Sequence, residues 1–143
     1  MGKVKDILDK KGYGAYSVSP QTMVYAAIEQ MCQRNIGGVL IVDDNGALTG
    51  IFTERDYARK LILKGKSSKE THIRDLMTPN PFTVSPHTSV DDCMQLMSEK
   101  HIRHLPVTEG DKILGLISIG DVVTHVISEQ KSIIQHLESY ISQ

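Results

Sequence analysis

Two stretches of this 143-residue chain share one chemical skeleton. "GIFTERD" runs from Gly50 to Asp56 and "GLISIGD" from Gly115 to Asp121. Each reads glycine, two apolar residues, a hydroxyl residue, two variable residues and an aspartate. The hydroxyl is Thr53 in the first and Ser118 in the second. A hydroxyl followed three residues later by an acid marks a helix start, in which the hydroxyl caps an amide and the acid reaches back. That arrangement needs no ligand, although its acid is usually Glu or Gln and Asp is shorter. The same groups can also do chemistry. A helix N-terminus with unpaired amides and a small hydroxyl receives anions. A carboxylate one turn in can accept two hydrogen bonds from a ribose diol. Asp56 and Asp121 are therefore candidates both as caps and as diol ligands.

The elements that position these residues are repeated as well. "VSP" occurs at Val18 and again at Val84, 66 positions later. After it, Val24, Ala27, Ile28 and Met31 mirror Val90, Cys93, Met94 and Met97. Their spacing is the apolar stripe of an amphipathic helix. "NIGGVLIV" then aligns with "HIRHLPVT", and upstream "VKDIL" at Val4 aligns with "IRDLM" at Ile73. Each copy reads as a short helix or loop, a short strand, a helix, two strands and a helix. The strand pairs flank "DDNG" and "EGDK", and Asn45-Gly46 is a strong tight-turn signal. Pro106 suggests an edge strand or a strand start. The polar stretch "KGKSSKE", Lys64 to Glu70, separates the copies. The expected division is residues 4–65, residues 70–128 and a helical extension over 129–143. Each unit alone is small enough to be marginal, so two are expected to share a core.

Bulk properties narrow the function classes. The chain is 40% hydrophobic and 23% charged, with a formal net charge of −1. No global field favours nucleic acid or an anionic membrane. No apolar run approaches the roughly 18 residues that span a bilayer. The start, "MGKVKDILDKKG", has no apolar signal core, and its acids argue against a transit peptide. Gly2 suggests no myristoylation, because Asp6 stands where Ser or Thr is needed. Cys32 and Cys93 are too few and too far apart for a disulfide framework or a zinc site. Both fall on apolar helical stripes and are expected as buried free thiols, which points to a reducing, cytoplasmic location. Aromatics are 5% and are not interleaved with basic residues, which argues against nucleic-acid binding. His101, His104, His125 and His136 have neither the spacing nor an acid partner for a metal, and none is expected. No nucleophile elbow or phosphate-binding glycine loop is present.

The repeat register, "GIFTERD", "GLISIGD", "HIRHLPV" and "DLMTPNPFTVSP" together resemble the CBS domain pair, or Bateman module, over about Val4 to Ile127. "GIFTERDYARKLILKGKSSKETHIRDLMT" is similar to small stand-alone members of that family. The resemblance implies an α+β fold of tandem β-α-β-β-α units, packed sheet to sheet with pseudo-two-fold symmetry. It implies adenine nucleotides in clefts between the repeats: AMP first, with ADP, ATP, NAD or S-adenosylmethionine as alternatives. It implies no catalytic centre, and a module that reports nucleotide state. With no output domain in these residues, the expected target is a separate protein.

Carried onto this chain residue by residue, the family pattern places ribose ligands at Asp56 and Asp121, beside Thr53 and Ser118. It places basic phosphate ligands at Arg103 and His104. The equivalent first-copy residues, Gly37 and Gly38, bring no charge but let a flat base approach the backbone. Arg55 offers a fork-shaped phosphate donor or is a solvated helix-start residue. Lys64, Lys66 and Lys69 are expected to be solvated, with the edge of a phosphate site as the alternative. Thr83, Val84, Tyr16 and Val18 match the short strand that lines adenine, or are plain strand core with a serine cap nearby. The two sites are expected to be unequal. The tail "DVVTHVISEQKSIIQHLESYISQ" reads as one long helix with Val126, Ile127, Ile133, Ile134, Leu137, Tyr140 and Ile141 on a broken stripe. It is expected to pack on the N-terminal helix around Val4 to Leu8 or on another chain, and a homodimer is expected. The leading function is a non-catalytic adenine-nucleotide sensor. A ligand-independent dimerisation or scaffolding module is the alternative, and an enzyme using the cleft acid and histidine is the more remote one.

Overall fold

A computed structural model of the chain describes residues 2–142. The chain folds as two compact units, each holding one hydroxyl–aspartate turn. One unit comprises residues 14–82, and the other combines residues 1–13 with residues 83–143.

The first unit is built on a four-stranded sheet in the order β1 (Ser17–Val18), β2 (Gly38–Val42), β3 (Leu48–Thr53), β4 (Thr78–Pro79). β1 runs parallel to β2, while β3 is antiparallel to both of its neighbours. The parallel pair needs a crossover, which α2 (Val24–Arg34) supplies. Its buried stripe, Val24, Ala27 and Met31, packs on Val39, Ile41 and Phe52 of the sheet. Asn35 ends α2 in the left-handed conformation, at φ 53°. The Asn45-Gly46 turn forms as expected, with Asp43 Oδ1 accepting from the amides of Asn45 and Ala47 at 2.9 Å each. Gly50 is required where it stands. A Cβ there would lie 2.5 Å from Met77 Sδ and 3.0 Å from the Thr78 carbonyl, because the chain entering β4 runs close beside β3 at this residue.

The second unit holds the antiparallel hairpin β5 (His104–Glu109) and β6 (Lys112–Ser118). The expected short strand at "TVS" is reduced to one parallel bridge, Val84 to Val107. α4 (Val90–Lys100) packs Val90, Cys93 and Met97 inward and ends on left-handed His101 at φ 55°, the counterpart of Asn35. α5 (Ile119–Ile141) is the long tail helix; Gln143, included in the expected helix, lies outside the described residues. The helices begin later than the serines after the short strands. The residue before α2 is Met23 and the residue capping α4 is Ser89, whose hydroxyl accepts from Asp92 N at 3.0 Å.

The repeat in the sequence and the compact unit in space are different stretches of chain. The segment leading into the first repeat forms α1 (Val4–Lys11), which buries Val4, Ile7 and Leu8 in the second repeat's core. Val4 N donates to Thr88 O at 2.9 Å. The matching segment before the second repeat, Ile73–Asp75, is a single 3-10 turn that buries Ile73 in the first repeat's core. Ile73 N donates to Thr22 O at 2.7 Å. Each leading segment thus serves the other repeat. α5 meets α1, one of the two packing partners expected for it: Lys10 Nζ donates to Ser128 Oγ at 3.3 Å.

Candidate functional site

Both hydroxyl–aspartate turns form complete capping boxes. Thr53 ends β3 and opens a short helix, α3 (Glu54–Asp56), which continues as one π turn through Leu61. Thr53 N donates to Asp56 Oδ2 at 2.9 Å, and Asp56 N donates to Thr53 Oγ1 at 3.4 Å. Ser118 N donates to Asp121 Oδ2 at 2.8 Å, and Asp121 N donates to Ser118 Oγ at 3.1 Å. Asp is long enough for the reach in both copies, contrary to the expectation drawn from its length. Backbone bonds repeat the register too. Glu54 N donates to Gly37 O at 3.1 Å, and Ile119 N donates to Arg103 O at 2.8 Å. Gly38 lies opposite Thr53 on the ladder, as His104 lies opposite Ser118.

The two boxes differ in what remains open. Asp56 is buried, at 8% exposure, and both of its oxygens are occupied. Oδ2 takes the Thr53 amide and, at 3.2 Å, the Thr53 hydroxyl. Oδ1 takes Thr78 Oγ1 at 3.1 Å and the Lys60 ammonium at 3.2 Å. Asp121 is more open, with its side chain 24% exposed. Its Oδ2 takes the Ser118 amide and Lys11 Nζ at 2.7 Å, whereas among the described residues Oδ1 accepts no hydrogen bond. Burial pushes the Asp121 carboxyl upward, but the bonds from Lys11 and Ser118 outweigh it and hold the group below the ordinary carboxylate value.

Lys60, Thr78 and Lys11 were not singled out from the sequence. Lys60 follows Asp56 by four residues on a helical path, a spacing that could have flagged it. Lys11 and Thr78 reach their acids through the tertiary fold and carry no local signal.

The other expected site residues lie in different surroundings. Arg103 is exposed, and its guanidinium has no ion pair or hydrogen bond among the described residues. His104 is half-buried at the start of β5, and Arg55 is half-buried on α3. Tyr16 and Val18 pack against the first core, and Arg34 stacks 4.1 Å over the Tyr16 ring. Thr83 is exposed and Val84 is buried. The Val84 side chain is in the second core, and its amide and carbonyl are bonded to Pro106 O and Thr108 N. Gly37 alone of the expected residues lines the pocket of about 430 Å³ in the first unit, with Ile28, Met31, Cys32, Phe52 and Tyr57. Cys32 is exposed on that wall, which corrects its expected burial; Cys93 is buried as expected. Lys64 and Lys66 are solvated, and Lys69 sits 5.2 Å over the Tyr25 ring.

Among the described residues no group of three or more His, Cys, Asp or Glu side chains is placed to hold a metal ion. No described helix is long and apolar enough to cross a membrane.

The CBS domain profile matches residues 4–63 and 73–128. The mitochondrial CBS domain-containing protein CBSX3 of Arabidopsis thaliana is 40% identical over 146 residues, covering 96% of this chain and 71% of that protein. A Burkholderia ambifaria protein with CBS domains superposes at a TM-score of 0.85 with 45% identity, covering 90% of this chain and 96% of that one. CBSX2, solved in complex with AMP, superposes at 0.72 with 28% identity over 91% of this chain and 99% of that one. Two profile matches, two units that repeat one β-α-β-β-α register, and relatives similar along most of their length lead to one assignment: the chain belongs to the CBS domain family.

Proposed function

We propose that this chain is a non-catalytic regulatory module that binds an adenine nucleotide of the AMP type and passes its occupancy to a separate protein. The observation that carries the reading is the inequality of the two turns. Among the described residues Asp121 keeps one carboxylate oxygen open, and Arg103, joined to the same turn through its carbonyl, has a guanidinium without a hydrogen bond or ion pair. A ribose diol suits the first and a phosphate the second. Ser118 adds a hydroxyl at the start of α5, whose Ile119 and Asp121 amides are already bonded to Arg103 O and Ser118 Oγ. Asp56 is closed by Thr53, Thr78 and Lys60, so we assign the first turn a structural role. The AMP complex of CBSX2 supports the ligand class. AMP is the first choice, with ADP, ATP, NAD and S-adenosylmethionine sharing the adenosine part. The expected self-association is retained, with a second copy of the chain as partner.

The complete capping boxes favour one competing reading, a scaffold that needs no ligand. A thermal melt with AMP, ADP, ATP, NAD and S-adenosylmethionine separates the two. A true ligand at about 100 times its Kd stabilises by roughly 2.7 kcal/mol, a rise of several degrees. No shift with any adenine compound overturns the sensor reading in favour of the scaffold.

A further inference from the structure

We propose that Lys11 is a latch on the second turn: a ribose diol that binds the Asp121 carboxylate takes the place of Lys11 on it and so releases the end of α1. This rests on the nucleotide reading proposed above and names the element that the ligand moves.

The acceptor capacity of Asp121 sets up the competition. A carboxylate oxygen accepts through two lone pairs, and those of Oδ2 are taken by the Ser118 amide at 2.8 Å and by Lys11 Nζ at 2.7 Å. Oδ1 accepts no hydrogen bond among the described residues, so one ribose hydroxyl fits there without disturbing anything. Two neighbouring hydroxyls match the two oxygens of one carboxylate, and the second hydroxyl needs the position that Lys11 holds. The Ser118 amide belongs to the backbone and stays, so the acid keeps its orientation when the lysine leaves. The pair is open to water, with the lysine side chain 41% exposed and the aspartate 24%. Such pairs are weak enough to be exchanged for hydrogen bonds to a ligand.

The attachments of Lys11 give the exchange a consequence. Lys11 is the last residue of α1, and it ties that helix to the Leu116 carbonyl of β6 and to Asp121 of α5. Directly after it the chain turns at Gly12, with φ 106°, and at Gly14, with φ 95°. Glycine adopts these angles without strain. Neither glycine has an atom within 4 Å of where a Cβ would stand, so both are free to change their angles as a hinge does. Gly14 begins the first unit, so the hinge lies where the chain passes from one unit to the other. The first turn has no counterpart. Lys60, which closes Asp56, stands four residues from it and also holds the Leu76 carbonyl.

The test uses the full chain and AMP, with circular dichroism confirming the fold of each variant. Calorimetry compares the wild type with Lys11→Met and with Lys10→Met, which removes the same charge from a residue that bonds Ser128 Oγ and not Asp121. Lys11→Met is expected to bind AMP about two- to fivefold more tightly, because an exposed ion pair no longer has to be broken. Lys10→Met is expected to bind no more tightly than the wild type. Amide hydrogen exchange over residues 10–14 is expected to quicken when AMP saturates the wild type, and to be quick already in ligand-free Lys11→Met. Binding by the wild type with equal or weaker binding by Lys11→Met overturns the latch and leaves the nucleotide reading standing. Tighter binding by Lys11→Met without quickened exchange in the AMP-bound wild type overturns the release of α1. No binding by either protein overturns the nucleotide reading and the latch with it.

Discussion

Lys11 and Asp121 meet at 2.7 Å although 110 positions of sequence separate them. The contact exists because α1 belongs to the second repeat's unit and not to the repeat it precedes. It closes one oxygen of the Asp121 carboxylate, and Lys11 Nζ also donates to Leu116 O at 2.6 Å on the adjoining strand. Lys11 therefore both fastens the N-terminal helix and fixes the direction in which the acid presents its open oxygen.

Lys11→Met is expected to lower stability by about 0.5–1 kcal/mol, a modest figure because the pair is partly solvated. The melting temperature should fall by a few degrees in low salt, and the difference from the wild type should shrink in high salt. A thermal melt at two ionic strengths checks both.

The same contact sets a pH dependence. The Asp121 carboxyl is held below its ordinary value in the folded chain, so the folded form binds its proton less readily than the unfolded form. Its stabilising contribution is complete above the unfolded carboxylate range, near pH 4, and is lost as pH falls through the lower, folded value. Melts from pH 7 to pH 3 should show Asp121→Asn less stable than the wild type at neutral pH, and the gap closing in acid.

Asp56 and Asp121 occupy equivalent positions but should respond unequally to removal. Asp56→Ala removes a buried carboxylate that caps the Thr53 amide, pairs with Lys60 and accepts from Thr78, and should cost about 2 kcal/mol, although Lys60 keeps the carbonyls of Leu76 and Met77. Asp121→Ala removes a cap from a more open site and should cost about 1 kcal/mol. Urea unfolding measures both, and equal losses would contradict the assignment of different roles to the two turns.

The thiols should separate by reactivity. Cys32 is exposed, whereas burial, aided by the nearby Asp92, pushes the Cys93 thiol up to about 11. A thiol titration should find one group in the native protein and two in guanidinium.

The sequence repeat made the fold legible because it preserves the ladder register. Gly38 faces Thr53 and His104 faces Ser118, as the alignment of "NIGGVLIV" with "HIRHLPVT" requires. Both helix caps were legible for the same reason. The exchange of leading segments was not. Val4, Ile7 and Leu8 make an apolar face that either repeat could bury, and only the fit of side chains in a formed core selects one. The closure of Asp56 was hidden likewise, since Thr78 joins it only through the pairing of β4 with β3. Val84 left two readings open in the sequence, because an apolar strand residue looks the same whether it faces a core or a pocket. Cys32 lies on the shoulder of the α2 stripe, next to buried Met31, and a turn of one residue about the axis takes it into solvent.

The central claim is that the second repeat's turn holds an adenine nucleotide, with Arg103 on the phosphate. Calorimetric titration of AMP into the wild type and Arg103→Ala tests it most directly, because Arg103 is exposed and among the described residues its guanidinium makes no hydrogen bond or ion pair. The account predicts saturable binding by the wild type, an unchanged melting temperature for ligand-free Arg103→Ala, and a Kd weakened by about ten- to a hundredfold, the worth of a charge-assisted phosphate bond. Absence of AMP binding by the wild type, or equal affinity of the two proteins, would contradict it.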